Sequence, residues 1–417
     1  MANKKLKVSN VPNLRFPGFE GEWEVKKLKN IADKVNSGKT PLGGEAVYTK
    51  EGVLFIRSQN VNNDNLELEN STFIPESVNN QMKNSIVNPN DILLNITGAS
   101  LGRSCVVPND FKIGNVNQHV CIIRLNKQSN PRFIQPIFSS SKGQTIFNSL
   151  QTGSGREGLN FESIKGIKLS IPIPDEQYKI ASFLSLIDER ISTQNKIIEQ
   201  LETLIQNFRN QIFKQKIRFK HELGNEFSQW KVYKLRDISD RVLCKNIENN
   251  QNVLTISAQL GLISQLDFFN KSVSAKNVSG YYLLKQNDFA YNKSYSKGYP
   301  MGAIKRLKKY DKGIVSTLYI CFRFNGLINV HFMEQYFESG IQNIEIEKIA
   351  QEGARNHGLL NVGVSDFFNI EINLPSIEEQ KRIASFLSKI DKKIQTEKAI
   401  LEQFEKQKKY LLHEMFI

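Results

Sequence analysis

An internal duplication constrains this chain more than any other feature. Ile180-Ala181-Ser182-Phe183-Leu184-Ser185 recurs as Ile383-Ala384-Ser385-Phe386-Leu387-Ser388, 203 positions later. The same offset, without a gap, matches Pro172 with Pro375, Glu176-Gln177 with Glu379-Gln380, Ile187-Asp188 with Ile390-Asp391, Thr193 with Thr396, Glu199-Gln200 with Glu402-Gln403, and Phe213 with Phe416. At a slightly different offset, Trp23, Val25, Lys27, Leu28, Ile31, Asp33 and Val35 match Trp230, Val232, Lys234, Leu235, Ile238, Asp240 and Val242. Between these ends only fragments agree: Asn90-Asp91 with Asn287-Asp288, Asn95 with Asn292, Arg124 with Arg323. A period of about 200 residues is too long for a solenoid repeat. The chain is therefore a unit used twice, a variable body followed by a near-constant tail.

The tails predict long helices. Leu184, Ile187, Ile191, Gln194, Ile198, Leu201, Ile205, Phe208 and Ile212 follow a 3,4 spacing, a heptad seam with one polar member. The offset of 203 gives Leu387, Ile390, Ile394, Glu397, Leu401, Phe404, Lys408, Leu411 and Met415, with a polar residue at the same place. Pro172 and Pro174 precede the first tail, and Asp175-Glu176 suit a helix N-terminus. A helix of roughly 40 residues spans ~60 Å. One such stripe is ordinarily core burial in a bundle; two matched stripes in one chain favour pairing with each other.

The bodies read as mixed helix and sheet. Strands are expected at Val53–Arg57, Asp91–Ile96, Ser104–Val107 and Val120–Leu125, then at Asn252–Ile256, Asp288–Tyr291 and Ile314–Phe324. Helices are expected over Phe133–Phe147, interrupted near Pro136, and from Val330 to about Glu338. With 417 residues, 40% of them hydrophobic, the chain can bury more than one core. Lys and Arg exceed Asp and Glu by 56 to 42, a net charge of +14. That surplus favours a polyanionic partner, nucleic acid or an anionic membrane surface. There is no apolar run long enough to span a bilayer and no secretory leader, so a cytoplasmic protein is expected. Cys105, Cys121, Cys244 and Cys321 form no CxxC pair and read as buried thiols; no metal site is expected.

A search for catalytic patterns returns little. Ser37-Gly38-Lys39-Thr40 resembles the end of a phosphate-binding loop, but Asp33 stands where the motif needs glycine and Pro41 where its helix should begin. No dinucleotide fingerprint opens a helix after a strand. An amino-methyltransferase would need a cofactor loop and an Asn/Asp-Pro-Pro-aromatic box, and neither is present. The chain reads as non-catalytic.

Polar, glycine-punctuated loops remain in the variable bodies. They are Lys39 with its turn, Arg57-Ser58-Gln59-Asn60, Thr97 to Arg103 with Ser100, and Arg156 in Gly153-Ser154-Gly155-Arg156. The second body offers Lys293-Ser294-Tyr295-Ser296-Lys297 and Arg355-Asn356-His357. Arg and Lys can bond guanine O6 and N7, Asn and Gln can pair with adenine N6 and N7, and Ser and Thr commonly hold phosphates. Any one such loop is more often a solvated turn, and the basic runs Lys214–Lys220 and Lys305–Lys309 read as solvated faces.

At this point the sequence resembles the specificity subunits of type I DNA restriction–modification systems. The carrying residues are Pro12-Asn13-Leu14-Arg15-Phe16-Pro17-Gly18-Phe19 followed by Trp23, both tails over Glu176–Asp188 and Glu379–Asp391, and the duplication. The second half begins His221-Glu222-Leu223-Gly224 and lacks the Phe-Pro-Gly-Phe box. The resemblance implies α/β (α+β) target-recognition domains at 1–174 and 217–376, each followed by a long helix, 175–216 and 377–417, the two helices paired as an antiparallel coiled coil. It implies that each domain reads one half of a split site in double-stranded DNA, and that two modification subunits dock on the conserved helices. S-adenosylmethionine would sit on those partners, with no cofactor in this chain, and restriction subunits can join them. Phe183, Leu184, Ile187, Phe386, Leu387 and Ile390 are the expected docking residues. The competing readings are a self-contained methyltransferase or nuclease and a coiled-coil adaptor that binds no DNA.

Overall fold

Each body is built on a four-stranded antiparallel sheet made from the β-branched and aromatic runs of the sequence. In the computed structural model, which describes residues 10–62, 64–151, 158–222, 224–269, 277–350 and 360–417, the chain divides into two units. One comprises Met1–Asn195 with Ala399–Ile417, the other Lys196–Lys398. The first unit's sheet runs in spatial order Ala32–Ser37, Val120–Leu125, Ile92–Asn95, Ser104–Val106. Because side chains alternate across a strand, Ile92, Leu94, Cys121 and Ile123 face a core that includes Phe133, Ile134, Phe138 and Phe147. Leu93, Ile122 and Cys105 face the other way, onto Ile56, Val61, Val87 and Val116. Strand Val53–Ile56 belongs to a second four-stranded sheet with Thr72–Ile74, Gly114–Val116 and Ile86–Val87.

The second unit repeats this plan, its sheet in the order Ser239–Arg241, Ile320–Phe324, Phe289–Asn292, Ala303–Arg306. Phe289, Tyr291, Ile320 and Phe322 face a core with Phe332, Met333 and Phe337, while Ala290 and Cys321 face Leu254, Leu262 and Leu284. Two expectations need correction. The run Ile314–Phe324 is two strands, Lys312–Val315 and Ile320–Phe324, in different sheets. The helical stretch near Pro136 breaks instead at Ser140, between Pro131–Ser139 and Ser141–Leu150. The Ser140 hydroxyl accepts the Gly143 N–H and starts the second helix.

The matched fragments of the bodies turn out to be one device built twice. Asn90 and Asn287 are left-handed turn residues, φ 67° and 73°, each preceding a buried aspartate. Asp91 receives Arg124 Nε at 2.8 Å from the neighbouring strand, and Asp288 receives Arg323 Nε at 2.6 Å. The Glu-Gln dipeptide of each tail is explained in the same way. Glu176 and Glu379, 1% and 0% exposed, are gripped by Arg15 and Arg218 at 2.7 and 2.8 Å. Gln177 Oε1 and Gln380 Oε1 accept the backbone N–H of Asn130 and Asn329, the N-caps of the body helices, at 2.9 and 3.0 Å.

The second half therefore carries the Arg-Phe pair of the opening motif, though not its Pro-Gly-Phe. Ile217-Arg218-Phe219 stands where Leu14-Arg15-Phe16 stands in the first half, at the tail's own offset. Phe16 meets Phe183 edge-on at 5.5 Å, and Phe219 meets Phe386 at 5.6 Å.

The tails are the helices Pro174–Phe213 and Ile377–Glu414. All eighteen seam positions are buried or half-buried. Within the first unit, Leu411, Met415 and Phe416 pack with Leu184 and Ile187, so the end of the second helix lies against the start of the first. Lys408 Nζ bridges Asp64 and Asp188, each at 2.8 Å. Within the second unit, Ile205 and Ile212 pack with Ile383, Leu387 and Ile394, and Arg209 pairs with Asp391 at 3.3 Å. Both pairings are antiparallel.

Other expectations also shift. Cys105, Cys121 and Cys321 are buried, and burial pushes each thiol up to about 12, but Cys244 is exposed. The run Lys305–Lys309 is not a solvated face throughout. Lys305 and Arg306 are buried and paired with Glu338 and Glu334 at 2.6 and 3.1 Å. Among the described residues, no helix is long and apolar enough to cross a membrane, and no acid, His and Cys group is placed to hold a metal.

Removing one member of a buried pair leaves a charge without its counterion, which costs about 3 kcal/mol, whereas an apolar replacement of both is far milder. Arg218→Met should lower the thermal midpoint strongly, and Arg218→Met with Glu379→Leu should recover much of that loss. A double variant as unstable as the single one would contradict this account.

Burial alone would raise Asp64, but Lys408, Ser139 and Gln135 outweigh it and hold its carboxyl below the ordinary value of 3.8. A carboxyl depressed on folding stabilises above its unfolded pKa, and that stability is lost as pH falls through the folded one. The wild-type contribution should thus persist down to about pH 4 and vanish below it. In Lys408→Met burial prevails and the sign reverses, because a carboxyl raised on folding costs stability as pH rises. The deficit against wild type should be largest near pH 7 and shrink toward pH 3 in unfolding midpoints.

Candidate nucleic-acid interface

In the first unit, four polar loops are tied to one another at the ends of the central strands. Residues 57–60 follow the strand Val53–Ile56, and Asn60 organises them from inside. Its Oδ1 accepts Arg57 N–H at 2.9 Å and its Nδ2 donates to Glu67 O at 2.9 Å. Asn95 Nδ2, at the end of its strand, donates to Ser58 O at 2.8 Å and fixes the loop against the sheet. Asn60 is 2% exposed, so it frames the loop and cannot reach a ligand. Gln59 is exposed. Arg57 is half-buried, with its guanidinium 5.7 Å from the Tyr48 ring centroid.

The other loops meet there. Gly38 approaches so closely that a Cβ would lie 1.6 Å from Val116 O, and its N–H donates to Asn117 O at 3.2 Å. Only glycine fits, and Lys39 and Thr40 are held, exposed, beside residues 117–119. Thr40 Oγ1 donates to Gln118 Oε1 at 2.8 Å, and Thr97 Oγ1 lies 2.7 Å from His119 Nδ1. Arg103, also exposed, donates to Asn62 Oδ1 at 3.0 Å. Ser100 is half-buried, its carbonyl accepting the Arg103 N–H at 3.1 Å. Sequence reasoning missed Gln118 and His119, which sit in a three-residue turn without a charged or glycine signal.

In the second unit the equivalent loop follows Phe289–Asn292. Gly302, at φ 76° and with a Cβ position only 2.3 Å from Asn292 O, closes it. Asn292 Oδ1 accepts the Ser294 N–H at 3.1 Å, the Ser296 N–H reaches Tyr299 O at 3.4 Å, and Lys293 O accepts Leu360 N–H at 3.0 Å. Tyr295 and Lys297 are left exposed at the tip, with Lys293, Ser294 and Ser296 half-buried. Tyr299 anchors the loop from below, donating to Glu338 Oε2 at 2.7 Å while Lys305 donates to its hydroxyl at 2.8 Å. Burial drives the Lys305 ammonium below its usual value, against the opposing pull of Glu338. Arg156, Arg355, Asn356 and His357 lie outside the described residues.

The expected docking residues are placed differently. Leu184, Ile187 and Leu387 are buried in the cores of their own units, and half-buried Ile390 packs against one. Phe183 and Phe386 spend their rings on Phe16 and on Phe208 and Phe219. The exposed tail residues identical in both copies are Ser182 and Ser385, Thr193 and Thr396, Ile197 and Ile400, Glu199-Gln200 and Glu402-Gln403, and Glu202 and Glu405.

Asn60→Ala should destabilise the first unit by about 2 kcal/mol, because it leaves buried backbone groups without partners. Gln59→Ala, one residue away, should leave stability within about 0.5 kcal/mol. Thermal unfolding of the two variants separates the framing residue from the presented one; equal midpoints would contradict the assignment.

The comparisons with known proteins agree with this duplicated architecture. The family described as type I restriction modification DNA specificity domain matches twice, over residues 20–203 and 228–406. The chain is similar to the type I restriction enzyme MjaVIII specificity subunit of Methanocaldococcus jannaschii, 25% identical over 366 residues, 79% of each chain. It is similar to the type I restriction enzyme EcoBI specificity subunit of Escherichia coli, 26% identical over 236 residues, 55% of this chain and 46% of that one. Among solved structures, the type I restriction–modification S subunit from M. genitalium shares the fold at TM-score 0.56 and 14% identity, covering 98% of this chain and 99% of that one. A further structure, described as bearing on complex assembly and conformational transition of the type I system, shares it at TM-score 0.53 and 12% identity, with 94% and 96% covered.

Proposed function

The chain belongs to the type I restriction–modification DNA specificity family, and from that premise we propose that each of its two bodies reads one half of a bipartite, asymmetric DNA target. The observation that carries this is the contrast between framework and loops. The same sheet order, the same buried Asp–Arg pair and the same Glu-Gln anchors recur in both units. The loops mounted on them differ: Thr97 to Arg103 and Asn117-Gln118-His119 in one, Lys293 to Gly302 and Ser316 to Tyr319 at the corresponding places in the other. A repeated frame that presents different side chains suits two different readings of one polyanion.

Lys39, Arg57, Gln59, Thr97, Ser100 and Arg103 are the first reading surface, and Lys293, Ser294, Tyr295, Ser296 and Lys297 the second. Exposed Lys and Arg supply phosphate and guanine contacts, and the amide and hydroxyl groups supply directional ones. Two modification subunits dock on the paired tails, where Ser182, Thr193 and Glu199-Gln200 recur, exposed, as Ser385, Thr396 and Glu402-Gln403. A recurring set of exposed residues presented twice suits an identical partner bound twice. The chain carries no chemistry of its own in this reading; methyl transfer and its S-adenosylmethionine belong to those partners, and cleavage to restriction subunits.

Exchange of residues 217–376 for the corresponding body of another family member tests the division of labour. The methylated motif in cells that also express the modification subunits should change in one half only. The assembled complex should bind duplex with log K falling linearly in log salt, by about 0.9 per phosphate contacted. A motif that changed in both halves would refute independent reading, and a flat salt response would remove the electrostatic contribution.

A further inference from the structure

The turn that leads into the second strand of each central sheet, Val120–Leu125 or Ile320–Phe324, occupies the same topological place in both units. In the first, Gly114–Val116 leads through Asn117-Gln118-His119 into Val120–Leu125. In the second, Lys312–Val315 leads through Ser316-Thr317-Leu318-Tyr319 into Ile320–Phe324. Both turns are built alike: Asn117 Oδ1 accepts the His119 N–H at 3.0 Å, and Ser316 Oγ accepts the Leu318 N–H at 3.3 Å. Their tips are exposed and chemically unlike, Gln118 in one and Thr317 at the matching place in the other. The frame of the turn is kept and its presented side chain is not.

Gln118 is also oriented. Thr40 Oγ1 donates to Gln118 Oε1 at 2.8 Å, and Gln118 Nε2 stands 3.1 Å from His119 Nε2. His119 Nδ1 in turn is 2.7 Å from Thr97 Oγ1. With the amide oxygen on Thr40, the contacts are satisfied when the amide donates to His119 Nε2 and Nδ1–H donates to the Thr97 hydroxyl oxygen. The carboxamide is thereby held at both ends, its oxygen by Thr40 and its nitrogen by His119. One N–H and one carbonyl lone pair remain free on the exposed side.

A fixed, adjacent donor and acceptor on an uncharged group is the pattern that pairs with adenine N7 and N6 in the major groove. A phosphate would use only the donor and would be repelled by the carbonyl. We propose that Gln118 is a specificity-determining residue that reads an adenine in the half-site of the first body, with Thr40 and His119 as its positioning residues. This rests on the reading of the bodies as DNA-recognition units.

The test uses the full chain assembled with its modification subunits, as wild type, Gln118→Ala and Thr40→Val. Its readouts are the methylated motif and binding to duplexes carrying each single-base change of that motif. In Gln118→Ala, discrimination at one A·T pair of one half-site should fall about ten- to a hundredfold, with the other half-site and the thermal midpoint unchanged. Thr40→Val should loosen the same pair by a smaller factor. An unaltered motif, or a weakening equal across all duplexes including unrelated sequence, would overturn the assignment and leave two-body recognition standing. A wild-type complex without any defined motif would remove both.

Discussion

Each unit is closed by a helix end that belongs, in sequence, to the other repeat. Phe416 packs on Phe133 of the first body at 5.3 Å, and its repeat partner Phe213 packs on Phe332 of the second at 5.5 Å. Around these rings the same grip recurs. A basic residue from the incoming helix, Lys408 or Arg209, reaches the aspartate that ends the repeated tail motif, Asp188 or Asp391. The pairings stabilise because they bury apolar surface and neutralise half-buried charge at once. Removing a helix end would expose the face of a body that its own repeat does not cover.

The two buried glutamates then set how body and tail meet. Glu176 and Glu379 are nearly inaccessible, so each must keep its arginine. Those arginines lie in the segments that open each half, and the neighbouring phenylalanines, Phe16 and Phe219, cover the tail aromatics. Opening segment, tail and body helix are thus joined by charge, ring packing and an N-cap. Loops attached to so rigid a frame can change side chains freely, because their own framing bonds run through Asn60, Asn95 and Gly38, behind the presented surface.

The sequence made the duplication, the helical tails and most central strands legible because all three rest on local periodicity and self-similarity. The short matches Asn90-Asp91 and Arg124 were visible, but not their meaning, which is a cross-strand ion pair between residues 33 positions apart. Arg218 reads as part of the solvated run Lys214–Lys220, yet it grips the buried Glu379; four extra residues separate it from Trp230 and break the alignment that the first half would suggest. Lys305 and Arg306 looked solvated because their acids, Glu338 and Glu334, lie on a helix beyond the next two strands. For the candidate interface, glycine and charge pointed to the loops at 57–60, 97–103 and 293–297. They did not point to Gln118 and His119, whose role depends on Thr40 and Thr97 arriving from elsewhere in the chain.

The exchange of helix ends has a consequence for how the molecule is made. The Leu14 N–H donates to Glu414 O at 3.0 Å, and Asn13 reaches the Glu414 side chain across a separation of 401 residues. The body that a ribosome releases first therefore waits longest for its final contacts, since residues 399–417 emerge only after the second body has been synthesised. Until then the surface around Phe133, Leu184 and Ile187 lacks its cover and is open to mispairing with any similar helix. Contacts this distant in sequence also slow folding, because the loop they close must be ordered before they form. The first unit is the earliest in translation and the last to mature.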